Sequence, residues 1–518
     1  MLAVTVVGVS LRLGVACRDL DILDRLFVPD DTYYTLAIAR SLAAGLGPSA
    51  DGMHLTNGFQ PLLAFMLVPV FWCSGAPELP LFATLVIGSL ADGATMVLLA
   101  RLAQRYVGTR AAVLAALFWA TSPVAFTNAL CGLETSLAVA TSLWLVDVWT
   151  LARTRSRPTM GFVYAGAVAG VCLLARVDTC FLIAALALLE IARSNRRAVT
   201  LAGVAALVVV APWWVWSFLE FGTFVPESGS AVRFQTQLHQ ALYLDMPRQL
   251  AFSLGHVIGP PFFDLPGFRG WSFEHFGIAG PCMAVALVSI AFVTFALYRR
   301  RCRDAVGPVA LALYALTITL FYTLYVPALW FFSRYFAPVH AVLGLGYACV
   351  LSRLPTTTWS GRIVALATGL LVSFGVISCL SLFVYTPPQS LRTGLDGAKG
   401  YGEVARDVLG VLPAGSVVGA LQSGALAYYA PSDITVVNLD GVVDRAAAAA
   451  FRERRLSEFA QARGVTHIAD WSFNINAFMW GSSSSATTAV PTLVPIGMAR
   501  PQGGDRFVVM DVRWGPRP

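Results

Sequence analysis

Charge is what this sequence has least of. Only 13% of its 518 residues are charged, about half of the ~25% carried by an ordinary soluble chain, and lysine is reduced to Lys399 alone. Such a deficit excludes a water-exposed surface over most of the chain, because solvated surface is built mainly from charged and polar side chains. Paired cysteine spacings are missing too: Cys17, Cys73, Cys131, Cys172, Cys180, Cys282, Cys302, Cys349 and Cys379 stand singly, mostly in or beside apolar runs. Neither a disulfide framework nor a cysteine metal site is readable, and small apolar packing residues are what remains. No internal repeat or low-complexity tract is present.

Apolar sequence takes the place of charge: 57% of residues are hydrophobic and the mean hydropathy is +0.68. Long runs recur through the first three quarters of the chain, which argues for many membrane spans rather than one anchor. The net charge of +7 does not point to nucleic acid, because the arginines stand in short blocks between apolar runs. That is the pattern of the positive-inside rule.

Taking those blocks as cytoplasmic predicts about eleven spans. Met1–Cys17, without a basic leader or a clear cleavage site, reads as a retained first span. Leu79–Leu99 returns to Arg101, Arg105 and Arg110. Ala111–Asn128 and Thr135–Leu151 lead to Arg153, Arg155 and Arg157; Gly161–Ala175 and Thr179–Ala192 lead to Arg193, Arg196 and Arg197. Val199–Leu219 goes out, Ile278–Tyr298 returns to the block from Arg299 to Arg303, and Val306–Tyr325, Tyr335–Leu351 and Arg362–Tyr385 complete the path. Two long outer loops result, residues 18–78 and 220–277. Gly58–Cys73 is apolar but short and carries Pro61 and Pro69, so it is expected as a re-entrant or interfacial helix in the first loop.

After Pro387-Pro388 the pattern changes. Ser416–Leu421, Ile434–Leu439, Val465–Trp471 and Arg506–Val512 read as strands, Arg445–Arg463 as one amphipathic helix, and Gly481–Thr488 as a Ser/Thr-rich loop. The predicted fold class is therefore a polytopic α-helical membrane domain, residues 1–385, followed by a small extracytoplasmic α/β domain, residues 386–518. A bacterial plasma membrane is the expected location.

The strongest chemical feature is Asp30-Asp31, within Pro29-Asp30-Asp31-Thr32-Tyr33-Tyr34 at the start of the first outer loop. Adjacent carboxylates near a bilayer are costly unless solvated or used, and mutual repulsion raises one pKa toward a proton acceptor's range. Either aspartate would equally serve as the N-cap of a helix over Thr32–Ala44. Asp92 falls in the middle of a span, where an ionisable group is functional by default; its partner is not readable. Arg233, His239, His256, Arg269, Trp271 and His275 lie among apolar stretches of the second loop, either as a sugar- and phosphate-binding set or as an interfacial belt. The histidines have no metal-ligand spacing.

Asp30-Asp31, Ile38-Ala39-Arg40 and Pro61-Leu62, in that order, resemble the GT-C superfamily of membrane glycosyltransferases, which includes protein O-mannosyltransferases and aminoarabinose and arabinofuranose transferases. Gly132-Leu133-Glu134-Thr135, Leu174-Ala175-Arg176-Val177-Asp178, Ala211-Pro212-Trp213-Trp214, Phe221-Gly222-Thr223-Phe224-Val225-Pro226 and Ser333-Arg334-Tyr335-Phe336-Ala337-Pro338 continue the likeness over roughly residues 1–350. Two departures stand out. Gln60 occupies the place where many relatives have His, and Val177 replaces a usual Pro.

The resemblance implies an enzyme that moves a sugar from a polyprenyl-phosphate donor to a hydroxyl acceptor on a glycan, lipid or protein. It puts the general base on Asp30, with Asp31 orienting it, and a second acidic group at Glu134. Arg334 and Arg176 are the expected phosphate ligands, since a planar guanidinium matches phosphate oxygens; snorkelling and a salt bridge to Asp178 are their respective alternatives. Tyr33, Asp178, Arg233, His256 and Trp271 are further candidates for substrate contact. Leu421-Gln422-Ser423-Gly424 and Asn438-Leu439-Asp440-Gly441 are turns or, more pointedly, contacts to acceptor. No cofactor is readable, and a divalent cation stays open. The rival readings are a flippase of lipid-linked sugars, which would favour inverted repeats, and a non-catalytic assembly protein on the same scaffold.

Overall fold

A computed structural model of the chain describes residues 1–73, 75–154, 158–243, 306–353, 357–384, 399–482, 491–499 and 507–514. The expected span Ile278–Tyr298, the arginine block after it, and His256 and Trp271 lie outside the described residues, as does most of the Gly481–Thr488 loop.

The first part is a helical bundle. Its helices are α1 (Leu2–Ala16), α2 (Leu20–Leu26), α3 (Asp30–Ala43), α4 (Pro61–Cys73), α5 (Glu78–Tyr106), α6 (Thr109–Ala120), α7 (Pro123–Leu130) and α8 (Thr135–Thr154). There follow α9 (Pro158–Ala175), α10 (Cys180–Ile191), α11 (Arg196–Phe221), α12 (Glu227–Tyr243), α13 (Val306–Leu324), α14 (Phe332–Tyr335), α15 (Ala337–Leu351) and α16 (Trp359–Val384). Among the described residues α5, α8, α9, α11 and α13 are long and apolar enough to cross a membrane, and α6 with α7 make a sixth if a bent pair counts as one. Of the eleven spans expected, five or six are thus accounted for.

The expected single span Ala111–Asn128 is corrected to α6 and α7, bent by 58°. Ser122 caps α7 by accepting from Ala125 N, and Pro123 occupies its first turn, where a missing N–H costs nothing. Gly58–Cys73 narrows to α4, thirteen residues starting at Pro61. At 1.5 Å per residue it is too short to cross ~30 Å of hydrocarbon.

Small residues let the bundle close up. Gly166 and Gly170 of α9 lie against α11, where an added Cβ would come within 2.2 Å of Ala202 O and 2.6 Å of Val209 Cβ. Inside the bundle Asp92 of α5 finds the partner that sequence could not name. Arg12 of α1 contacts it at 2.6 Å, both side chains being at most 1% exposed, and Trp119 Nε1 donates to it at 2.7 Å.

The C-terminal part is a five-stranded sheet in the order β2-β1-β3-β5-β4, made of β1 (Val417–Ala420), β2 (Thr435–Asn438), β3 (His467–Trp471), β4 (Thr492–Ala499) and β5 (Phe507–Arg513). β2, β1 and β3 run parallel, and β5 and β4 are antiparallel to their neighbours. Helices α17 (Tyr401–Val411), α18 (Gly424–Tyr429), α19 (Arg445–Arg452), α20 (Leu456–Ala462) and α21 (Ser472–Trp480) accompany it. The single helix expected over Arg445–Arg463 is two, broken where Arg454 adopts φ 56°. β4 was not foreseen; Pro495 interrupts its pattern, which an edge strand with a register shift tolerates.

This sheet domain is not a separate globule. One continuous apolar core runs from Val15, Leu23, Tyr33 and Leu63 of the first helices into Val404, Val418, Leu426 and Val509. The division expected at residue 385 therefore separates chain segments, not packing units.

Candidate active site

The site is built where α3 meets the sheet domain and the loop ends of α7, α9 and α13. Pro29 takes the cap position of α3, so Asp30 and Asp31 stand inside its first turn rather than at the expected N-cap, still favoured by the helix dipole. Thr32 Oγ1 donates to Cys131 O at 2.6 Å. That bond fixes the turn leading to Glu134 beside the two aspartates.

The two carboxylates have different surroundings. Asp30 is 5% exposed, and its oxygens accept from Gly424 N at 2.9 Å and Ala425 N at 2.8 Å. An added Cβ on Gly424 would meet Asp30 O at 2.3 Å, so only glycine allows this approach. Burial is the main reason that the Asp30 carboxyl is pushed up to about 7, with the charge of Asp31 adding to it. The expectation of a free base at Asp30 thus meets a carboxylate already taken up by the sheet domain. Asp31 is 32% exposed and pairs with Arg334 Nη2 at 2.9 Å.

Arg334, on α14, is held by its neighbours. Asn128 of α7 donates to Ser333 O at 3.0 Å, and the guanidinium lies over the Phe331 ring at 4.3 Å. Its Nε is buried and has no hydrogen-bond partner among the described residues. Arg176 differs. Its guanidinium donates to Asp178 at 2.7 Å, to Tyr322 OH at 2.9 Å and to Glu134 at 3.4 Å, and Tyr322 OH donates to Asp178 at 2.6 Å. With two carboxylates around one cation, the charge of Arg176 is already compensated within the protein. The salt bridge to Asp178 is the alternative that the geometry supports. Tyr335 covers it at 5.1 Å and stacks on Tyr322 at 4.1 Å, which leads back to Arg334. Gln60 accepts from Val177 N at 3.3 Å and so braces the turn that follows Arg176.

Tyr33 turns away from the cleft. It is fully buried, donates to Asp24 at 2.6 Å and packs on Tyr428 and Tyr429 at the junction with the sheet domain. Arg233 on α12 donates to Tyr325 OH at 2.7 Å and lies over that ring at 3.9 Å, at the far end of the aromatic row formed by Tyr325, Phe321, Tyr322 and Tyr335. Sequence reasoning missed Tyr322, whose position near the end of an apolar span was its only signal. It also missed the Gly424 and Ala425 amides, although the Leu421-Gln422-Ser423-Gly424 turn was marked. Among the described residues no group of three His, Cys, Asp or Glu could hold a metal ion.

A family profile described as dolichyl-phosphate-mannose-protein mannosyltransferase matches residues 64–216. The chain is similar to the crystal structure of ArnT from Cupriavidus metallidurans bound to undecaprenyl phosphate, at 14% identity and a TM-score of 0.58, covering 98% of this chain and 96% of that one. It is also similar to the archaeal oligosaccharyltransferase AglB from Archaeoglobus fulgidus in complex with an inhibitory peptide and a dolichol-phosphate. There the identity is 15% and the TM-score 0.52, over 98% of this chain and 74% of that one. At these identities the likeness is one of fold. No curated protein matches the chain by sequence.

Proposed function

We propose that this chain, which has the fold of the GT-C membrane glycosyltransferases, transfers a sugar from a polyprenyl-phosphate donor to a hydroxyl acceptor, with its cleft and sheet domain on the outer face of the membrane. The observation that carries this reading is the Asp31–Arg334 pair. A partly exposed carboxylate and a cation with a spare buried donor meet at one end of the bundle, in a fold of which two solved examples hold lipid phosphates.

The roles follow from geometry. The acceptor oxygen attacks the anomeric carbon while the bond from that carbon to the phosphate oxygen breaks, its electron pair leaving with the phosphate. Asp31 takes the acceptor proton, because its carboxylate is the accessible one of the pair. Asp30 is a positioning residue that fixes the first turn of α3 against the sheet domain. Arg334 meets the phosphate through donors not committed to Asp31 and stabilises the charge that develops on departure. Arg176, Asp178 and Tyr322 hold Tyr335 and Glu134 in place around it.

The test is transfer from radiolabelled polyprenyl-phosphate sugars by the full chain in nanodiscs. Arg334→Ala should abolish most donor binding with the fold intact, and Arg334→Lys should restore part of it, supplying charge without the fork. Unchanged donor affinity in Arg334→Ala would remove the phosphate role. Translocation of lipid-linked sugar across liposomes without transfer would replace this reading with a flippase.

A further inference from the structure

The turn from Asn438 to Val442 brings the sheet domain to the first turn of α3, where the charges of Asp30 and Asp31 reach it, and the roles assigned above leave it out. It is bolted in place from three sides. Asn438 Nδ2 donates to Tyr34 OH of α3 at 3.1 Å, and Gln235 Nε2 of α12 donates to Asp440 O at 3.3 Å. Gly58 of the first outer loop lies so close under the turn that an added Cβ would stand 2.0 Å from Val442 O. A hairpin of backbone that served only to connect β2 with α19 would need none of these attachments.

What the turn carries to that point is the side chain of Asp440. It is half-buried, and its Oδ1 accepts from Val442 N at 2.8 Å, which fixes its direction. The side chain of Asn438 hydrogen-bonds it, and the other groups that face it are Asp30 and Asp31 of α3, whose charges reach it, and Tyr34 of the same helix. Burial first, and those carboxylates after it, push the Asp440 carboxyl up to about 8. A neighbouring turn holds Gln422, whose side chain hydrogen-bonds Tyr401 and whose Oε1 is buried with no donor to it among the described residues. A carboxyl group fixed beside Asp31 suits a ligand rich in hydroxyls, which both donate and accept.

We propose that Asp440 is a specificity-determining residue of the acceptor subsite, contributed by the sheet domain, which binds a hydroxyl of a polyhydroxylated acceptor other than the reacting one. This rests on the transfer reading above, in which Asp31 receives the proton of the reacting hydroxyl. Arg334 marks the donor side of Asp31 and Asp440 the acceptor side, so the sugar moves between a wall made by the bundle and a wall made by the sheet domain.

The experiment measures binding of two acceptor probes, an n-octyl hexoside and an n-octyl pentoside, and binding of undecaprenyl phosphate, to the full chain in nanodiscs, beside the transfer assay. Asp440→Ala is expected to weaken at least one acceptor probe about tenfold, the loss of one buried hydrogen bond, while undecaprenyl phosphate binds as before. Asp440→Asn keeps an oxygen for Val442 N and a side chain able to hydrogen-bond, so it should fold in any event and weaken the probe only a few-fold. Wild-type probe affinity in both variants overturns the proposal, as does failure of the wild type to bind either probe. If Asp440→Ala does not fold, an unchanged Asp440→Asn overturns it alone. An equal loss of undecaprenyl phosphate binding would make Asp440 a structural residue instead. Should the wild type bind probes but transfer nothing, while Asp440→Ala still loses the probe, the transfer reading fails and the subsite stands.

Discussion

Arg12 and Arg334 each pair with an aspartate at under 3 Å, one within the bundle and one at the end that meets the sheet domain. The Arg12–Asp92 pair is sealed, with side chains 0% and 1% exposed, Trp119 donating to the carboxylate and Phe126 covering the guanidinium at 5.0 Å. The Asp31–Arg334 pair is 32% and 14% exposed. Surrounded by hydrocarbon, a charge that no ligand can reach joins helices; one left partly open can meet a substrate. The rule that an ionisable residue in a span is functional by default thus applies poorly to Asp92, which ties α1 to α5 and α6.

The largest effect should separate the two pairs by what they damage. Asp31→Asn is expected to lower transfer by about two to four orders of magnitude with the melting temperature unchanged. Near-normal turnover would move the base elsewhere. Next in size, Asp92→Ala alone should cost about 3–5 kcal/mol by leaving Arg12 uncompensated, whereas the double change Arg12→Met with Asp92→Leu should be close to neutral. Thermal unfolding in detergent measures both, and a double variant as unstable as the single one would mean that the pair does more than join helices. Gly424→Ala should follow, at about 1–3 kcal/mol, since its Cβ would press on Asp30 O; wild-type stability would show that α18 does not rest on α3.

A pH effect comes last because it is spread over several pH units, and its sign is set by burial. Asp30 is pushed up to about 7 and Asp440 to about 8, from an ordinary 3.8. The folded chain therefore holds these protons where the unfolded chain has lost them. Their contribution to stability is complete below about pH 4 and is lost as pH rises through 7 and 8. The melting temperature should fall over that window, and Asp30→Asn should flatten the part near pH 7.

Periodicity and arginine blocks are signals carried by many residues, and the bundle shows them clearly: α5, α8, α9, α11 and α13 lie within a few residues of the runs that announced them. Features that depend on one residue were harder to read. The break between α6 and α7 turns on Ser122-Pro123 inside an apolar run, and that between α19 and α20 on Arg454 in a run rich in helix formers. There Leu456 N donates to Gly481 O at 2.9 Å, a tertiary bond that overrides local propensity. In the site, the adjacency of Asp30 and Asp31 was legible but not their different surroundings. That difference comes from amides nearly four hundred residues away. Arg176 was recognised as a cation; its neutralisation by Asp178, Glu134 and Tyr322 was not wholly visible, because α13 supplies the tyrosine.

The contacts between α2, α3 and the sheet domain join the two ends of the chain in time as well as space. Arg25 pairs with Glu403, Asp24 receives Gly402 N, and Asp30 receives Gly424 and Ala425. During synthesis the first of these groups leaves the ribosome long before its partners exist. On the proposed topology, the last quarter of the chain must also cross the membrane before they can meet. The cleft is therefore completed as one of the final events of biogenesis. A chain interrupted after the last helix of the bundle would carry Asp31 and Arg334 but would lack the surface that holds α3 in place.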